Sequence, residues 1–238
     1  MDFEYFDGTQ RCLGVLELPD AAIFPGQRPG VVAVHEAWGL GAQVRTRAKM
    51  LADLGYIALA ADIFGDRHIP ADPPEAFGII GGFLADRAKL RTRAAAAVSA
   101  LKAHPGCNGQ IAATGYCFGG STVLELARAG NPDVLGVVSF HGGLETPTPA
   151  EEGAVTAKIL VCHGAEDSLI PHPHLTAFLS EMAEAQADCQ TIAYTGAMHS
   201  FTNPEAKGEL MPAIMYHART DQRSWAAMQA FLHTEVFG

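Results

Sequence analysis

The sequence predicts an α/β fold with a mostly parallel central sheet and helices on both faces. Two patterns along the 238-residue chain support this reading. Short runs at Val31–Val34, Tyr56–Ala61, Ile111–Thr114, Val134–Phe140, Ile159–His163 and Thr191–Tyr194 are apolar at both alternating positions. Strands covered on both sides need that composition. Between the runs, apolar residues recur every three or four positions, as along one side of a helix. These stripes are Val44, Ala48 and Leu51; Leu90, Ala94, Ala97, Val98 and Leu101; Leu175, Phe178, Leu179 and Met182; and Trp225, Met228 and Leu232. Strand and helix in alternation read as a doubly wound domain.

Glu4–Leu18, ahead of the first Pro/Gly-rich loop, is expected to form an antiparallel edge hairpin. Pro and Gly cluster at Phe24–Gly30, Ile69–Pro74, Gly142–Pro149 and Ser168–Pro173, which predicts loops there. A chain of this length buries enough surface in one core to need no staple, so residues 1–238 are expected to form one domain. With 16 basic and 26 acidic residues the formal charge is −10, which argues against a nucleic-acid partner or a polybasic membrane surface.

The five cysteines, Cys12, Cys107, Cys117, Cys162 and Cys189, are odd in number and never paired as C-x-x-C. They suggest neither a disulfide framework nor a zinc motif. The start of the chain shows no basic-then-apolar leader pattern. The uncharged stretch Ile111–Leu124 is broken by glycines and too short for a bilayer. A cytoplasmic protein with reduced thiols is the expectation. No dinucleotide fingerprint or Walker loop is present, so no cofactor is implied. His163, His172 and His174 lack a matching carboxylate cluster, so no metal site is expected from them.

The sharpest chemical signal is Gly115-Tyr116-Cys117-Phe118-Gly119-Gly120, between a strand run and the helical run Thr122–Arg128. A nucleophile on a tight strand-to-helix turn needs tiny residues two positions before and after it, and this is the G-x-S-x-G elbow with Cys in place of Ser. The following helix N-terminus favours a thiolate, and the Phe118 amide is placed to meet an oxyanion. By itself the pattern also describes a packed Cys in a glycine-rich turn, since Cys is among the most buried residue types.

A nucleophile needs a base, and the base an orienting acid, which in elbow enzymes follow as acid and then base. The run Ile159–His163 leads into Gly164-Ala165-Glu166-Asp167, and Thr191–Tyr194 leads into Gly196-Ala197-Met198-His199. Cys117, Asp167 and His199 therefore stand at three strand ends in the required order, on the edge where open α/β sheets bind ligands. Taken singly, Asp167 also reads as a helix N-cap and His199 as a turn residue. Glu166 competes with Asp167, whose shorter side chain holds an imidazole more stiffly. At an earlier strand end, the Ala37 amide is the natural second oxyanion donor and Glu36 a carboxylate close to the thiol, able to hold it or tune its ionisation. His141-Gly142-Gly143 looks like a lipase oxyanion signature but follows the nucleophile, on the wrong strand.

With these residues in place, almost the whole chain resembles the dienelactone hydrolase family. The resemblance lies in V-H-E-A-W-G-L at Val34–Leu40, A-D-I-F-G at Ala61–Gly65, G-Y-C-F-G-G at Gly115–Gly120, H-G-A-E-D at His163–Asp167 and H-S-F-T-N-P at His199–Pro204. It implies an α/β-hydrolase fold, a Cys117–His199–Asp167 triad, Glu36 beside the thiol, and an oxyanion hole from the Ala37 and Phe118 amides. It also implies hydrolysis of a small ester or enol lactone through a thioester. Family members acting on dienelactone are expected to hold its carboxylate with arginines. Here Thr202-Asn203-Pro204 brings none, and Pro70–Ala85 has none, although Arg67 and Arg87 flank it. A binding or redox-sensing protein on the same fold, and acyl transfer to an alcohol or amine, are the alternatives. The natural substrate, the lid behaviour of Asp66–Phe83 and the oligomeric state are not legible.

Overall fold

The computed structural model describes all residues 1–238. Eight strands form one sheet: β1 (Asp2–Asp7), β2 (Gln10–Glu17), β3 (Arg28–Val34), β4 (Ile57–Ala61), β5 (Cys107–Tyr116), β6 (Val134–Phe140), β7 (Lys158–Gly164) and β8 (Cys189–Tyr194). Their spatial order is β1-β2-β4-β3-β5-β6-β7-β8. The opening hairpin is antiparallel and pairs antiparallel with β4. Every pairing from β4 to β8 is parallel. The helices are α1 (Ala42–Asp53), α2 (Pro73–Ala85), α3 (Arg87–Lys102), α4 (Phe118–Arg128), α5 (His172–Glu184) and α6 (Ala218–Phe231).

The doubly apolar runs have the expected consequence. Successive side chains of a strand point to opposite faces, so Val32, Val34, Ile111, Ala113, Ile159 and Val161 enter a core shared with α3, α4 and α5. Their neighbours Val31, Ala33, Ala112, Leu160 and Cys162 enter a second core shared with α1 and α6. This is an α/β-hydrolase fold with helices on both faces of the sheet.

The chain leaves β3 for β4 on one side and returns to β5 on the other, so the winding direction reverses between β3 and β5. Crevices at the carboxyl ends of strands at such a reversal are where open α/β sheets hold ligands. The ends of β3 and β5 carry Glu36-Ala37 and Cys117.

The Pro-rich stretch Ile69–Pro74 ends as a loop sooner than composition suggests, because α2 starts at Pro73. Proline suits the first helical turn, whose N–H groups lack helical partners. The side chain of Asp72 accepts the Glu75 N–H at 2.9 Å and caps the helix. Much of the stretch 66–83 is therefore an ordered helix. Likewise α5 starts at His172, inside the stretch read as the loop Ser168–Pro173.

Candidate active site

Cys117 lies between β5 and α4 at φ 53°, ψ −114°. This is a sparsely populated conformation for a residue with a side chain, of the kind that costs about 1–3 kcal/mol. The glycines around it are required by contact. A Cβ on Gly115 would collide with the Gly119 carbonyl, and one on Gly119 with the main chain of Val34. Gly119 therefore lets α4 begin hard against the end of β3, which brings Ala37 and Phe118 to the same cavity as Cys117. Phe118 is the first residue of α4, so its N–H has no carbonyl one turn back. Cys117 is half-buried and opens into that cavity.

Gly164, where β7 ends, plays the same part for the acid and the imidazole. A Cβ there would approach the Ala197 carbonyl to 2.6 Å. The loops after β7 and β8 therefore run side by side, and His199 Nδ1 lies 2.7 Å from Asp167 Oδ2. The other Asp167 oxygen accepts the N–H groups of Leu169 at 2.9 Å and Ile170 at 3.0 Å. Glu166 points elsewhere and accepts the Gly196 N–H at 3.1 Å. Burial works to raise the Asp167 carboxyl, but the His199 ring and the two loop N–H groups hold it below the usual range. Burial likewise works against a charged His199. Attraction from the neighbouring Cys117 sulfur and the Asp167 carboxylate outweighs it and holds the imidazole well above its ordinary value. With Nδ1 on Asp167, Nε2 is the nitrogen left for the sulfur. The structure thus brings Cys117 and His199 to one cavity, with Asp167 hydrogen-bonded to the far side of the His199 ring.

Glu36 is buried in the same cavity wall. One oxygen accepts the Asn203 side-chain N–H, and the other has no partner. Burial raises its carboxyl above the ordinary range, against the pull of Ser200, Asn203 and His199. His35 braces this corner, with Nδ1 2.6 Å from the Glu36 carbonyl and its ring edge-on to Phe64.

Sequence reasoning missed His141. Its Nδ1 accepts the Cys117 N–H at 3.1 Å, and its Nε2 lies 2.8 Å from Thr202 Oγ1. Its ring stands edge-on to His199 with centroids 5.3 Å apart. Gly142 behind it packs on Gly120, where a Cβ on either would approach the other's Cα to 2.7 Å. The H-G-G sequence is thus a close approach that seats a histidine under Cys117. The unusual His-Gly-Gly at a strand end was the available signal.

Arg67 and Arg87 do not line the cavity. Arg67 donates to the Leu13 and Gly14 carbonyls and pairs with Asp2. Arg87 turns toward Glu125 and the Glu145 carbonyl. No group of three His, Cys, Asp or Glu side chains converges as a metal-binding cluster. No helix is long and apolar enough to cross a membrane.

A parallel sheet with its chemistry-bearing loops at the β3, β5, β7 and β8 ends defines an α/β-hydrolase. Residues 13–236 match the dienelactone hydrolase family, and the chain belongs to that family. It is a hydrolase with ester-cleaving activity. Two solved structures superpose along the whole chain. One is a dienelactone hydrolase-like promiscuous phosphotriesterase from metagenomic libraries, with 41% identity, TM-score 0.93, and coverage of 100% of this chain and 98% of that one. The other, called m3DLH, has 39% identity, TM-score 0.94 and the same coverage. A Yersinia pestis protein named "Putative carboxymethylenebutenolidase" is 28% identical over 227 residues, 89% of this chain and 82% of its own.

Proposed function

We propose that the chain cleaves a small ester or enol lactone through a thioester on Cys117, with His199 as base and Asp167 as its orienting acid. The observation that carries this is that Cys117 and His199 line one cavity while Asp167 holds the His199 ring from behind at 2.7 Å. His199 takes the Cys117 proton, and the thiolate adds to the substrate carbonyl carbon. The Ala37 and Phe118 N–H groups stabilise the oxyanion, each such donor being worth about 3 kcal/mol. Collapse breaks the carbon–oxygen bond, and His199 returns its proton to the departing alkoxide or enolate. Water, losing a proton to His199, then adds to the thioester. The carboxylic acid leaves and the thiol is restored.

Asp167 fixes the tautomer and stabilises the imidazolium without taking its proton. Glu36, buried in the wall of the same cavity, is the carboxylate placed to hold the thiol in position. Sulfur leaves a tetrahedral intermediate readily, so activated esters and enol lactones suit this nucleophile and ordinary amides do not.

Two measurements test the proposal. Cys117→Ala is expected to lower kcat/KM for p-nitrophenyl butyrate by at least about 10³-fold. Acid-quenched wild-type enzyme is expected to carry one butyryl group on Cys117 by peptide mass spectrometry. Turnover in Cys117→Ala equal to wild type excludes this nucleophile. A second reading, thiolate attack on a neutral aryl phosphotriester, is favoured by the 41% identical phosphotriesterase relative. The same variant tests it.

A further inference from the structure

Proposing Cys117 as the nucleophile leaves open what the cavity above it accepts. The cavity measures about 420 Å³, within the usual span for a small-molecule site. One wall is α2, with Phe77, Ile80 and Leu84, and the other is the segment carrying Leu210, Met211 and Ile214. Phe77, Leu169 and Leu210 line its mouth while 43%, 38% and 48% exposed. Large apolar side chains gathered at one opening mark a surface that an apolar ligand covers.

The charges on this wall are the second, independent observation. Three carboxylates border the cavity, Glu36, Glu205 and Glu209, against one lysine. That lysine, Lys207, has its Nζ 3.6 Å from Glu205 Oε2. No arginine lines the cavity; of the two near α2, Arg67 is bound to Asp2 and main-chain carbonyls, and Arg87 turns away toward Glu125. His199 faces Asp167 and the Cys117 sulfur, so its charge is already matched. A substrate carboxylate entering here would lose its water among apolar side chains and find no free cation. An unpaired charge pays heavily for that transfer.

We infer that this site, if Cys117 is its nucleophile, selects uncharged esters with an apolar group beside the scissile bond and rejects substrates that bring a carboxylate to it. The selectivity arises from desolvation against the α2 wall and the excess of acidic side chains. Reactivity of the ester bond contributes little to it, because the two kinds of substrate can share one leaving group.

The test compares p-nitrophenyl hexanoate with mono-p-nitrophenyl adipate, which has the same chain length and leaving group but a terminal carboxylate. Rates are corrected for spontaneous hydrolysis with Cys117→Ala. We expect kcat/KM at pH 7.5 to favour the hexanoate by at least about 100-fold. Ile80→Arg, which adds a guanidinium to the α2 wall, is expected to narrow that ratio by at least tenfold through a gain on the adipate. Wild-type values within tenfold of each other, or a preference for the adipate, overturn the inference. The chemistry and the recognition are separated by a second measurement. The p-nitroanilides of hexanoic acid and of adipic acid (mono-anilide) are titrated into Cys117→Ala by calorimetry. Binding at least tenfold tighter for the hexanoyl compound supports the selectivity even where neither ester is turned over, an outcome that overturns only the proposed chemistry. Equal affinities overturn the selectivity even if the esterase reading stands.

Discussion

His141 Nδ1 accepts the backbone N–H of Cys117 at 3.1 Å, so the residue at the turn is held from beneath by a histidine that follows a different strand. An accepting Nδ1 fixes the tautomer, with Nε2–H donating to Thr202 Oγ1 at 2.8 Å. Burial holds the ring well below its ordinary pKa and keeps it neutral. Thr202 is itself anchored, its carbonyl accepting from the buried guanidinium of Arg47 at 2.6 Å. The row Arg47–Thr202–His141–Cys117 thus ties the loop that carries His199 to the backbone of the proposed nucleophile.

His141→Ala removes one of two acceptors of the Cys117 N–H, leaving the Phe140 carbonyl at 3.0 Å. It is expected to lower kcat about 10–100-fold with KM little changed, the scale of one lost buried hydrogen bond. His141→Asn offers an amide oxygen near the Nδ1 position and tolerates the observed φ of 41°. It is expected to recover a large part of kcat. Steady-state kinetics of the three proteins check this, and equal losses in Ala and Asn variants would assign His141 to packing alone.

Asp167→Asn removes one of the two partners that hold His199 above its ordinary pKa. In the proposed cycle His199 carries the proton taken from Cys117 to the leaving group, so activity is lost as pH rises past the point at which the imidazolium can hold that proton beside the sulfur. The variant is therefore expected to lose activity at a lower pH than wild type on the alkaline side. Its kcat is expected to fall about 10²–10⁴-fold, the usual contribution of general acid–base catalysis. The pH profiles of kcat and of kcat/KM read both. An unmoved alkaline limb would separate Asp167 from the His199 titration.

Much of this site was legible because its parts are local. Gly115 and Gly119 flank Cys117 for a steric reason that shows in six residues, and Asp167 and His199 each follow a strand run. The His141 contact is not local. It exists because β6 lies beside β5 in a register that sets Phe140 opposite Tyr116, and because Gly120 and Gly142 allow the two turns to touch. Nothing in the spacing of a sequence states that register. The Glu36–Asn203 bond joins residues 167 positions apart and is hidden for the same reason. The start of α2 was hidden differently. Proline breaks helices in their interior and begins them at their first turn, and the Asp72 cap decides between the two.

Glu36→Gln tests the buried carboxylate through stability. Burial raises the Glu36 carboxyl above its ordinary value near 4.5. Between those two values the native protein holds a proton that the unfolded chain has released, so stability from this group falls as pH rises through the window and levels off above it. Glutamine has no such loss. The unfolding free energy of Glu36→Gln relative to wild type is expected to increase from pH 4.5 upward and then plateau, as read by urea titrations at several pH values. Asp167 is common to both proteins. Its depressed carboxyl gives stability that is lost only as pH falls below about 3.8, so it cancels in the difference. A difference independent of pH would mean that Glu36 is ionised in the fold at no penalty.

Behind the site, Glu125 on α4 sits among three guanidiniums. Arg91 Nε donates to it at 2.9 Å, Arg128 Nη1 lies at 3.2 Å and Arg87 Nε at 3.8 Å, and the Glu125 side chain is only 1% exposed. Arg128, equally buried, also grips Glu181 through two nitrogens at 2.8 and 2.7 Å. Two carboxylates thus face three guanidiniums, and Arg87 Nε and Nη1 already lack hydrogen-bond partners. Glu125→Ala would leave Glu181 alone to balance the cluster, and stripping one partner from a buried ionic network costs about 3–5 kcal/mol. The midpoint of urea unfolding is expected to fall accordingly with an unchanged slope, since the surface exposed on unfolding hardly changes. Glu181→Ala should cost less, because its side chain is 12% exposed and water replaces part of what is lost. Because Glu125 lies two turns from the start of α4, kcat measured well below the unfolding temperature should stay near wild type. A Glu125→Ala enzyme as stable as the parent would show that the three arginines relax into solvent without it.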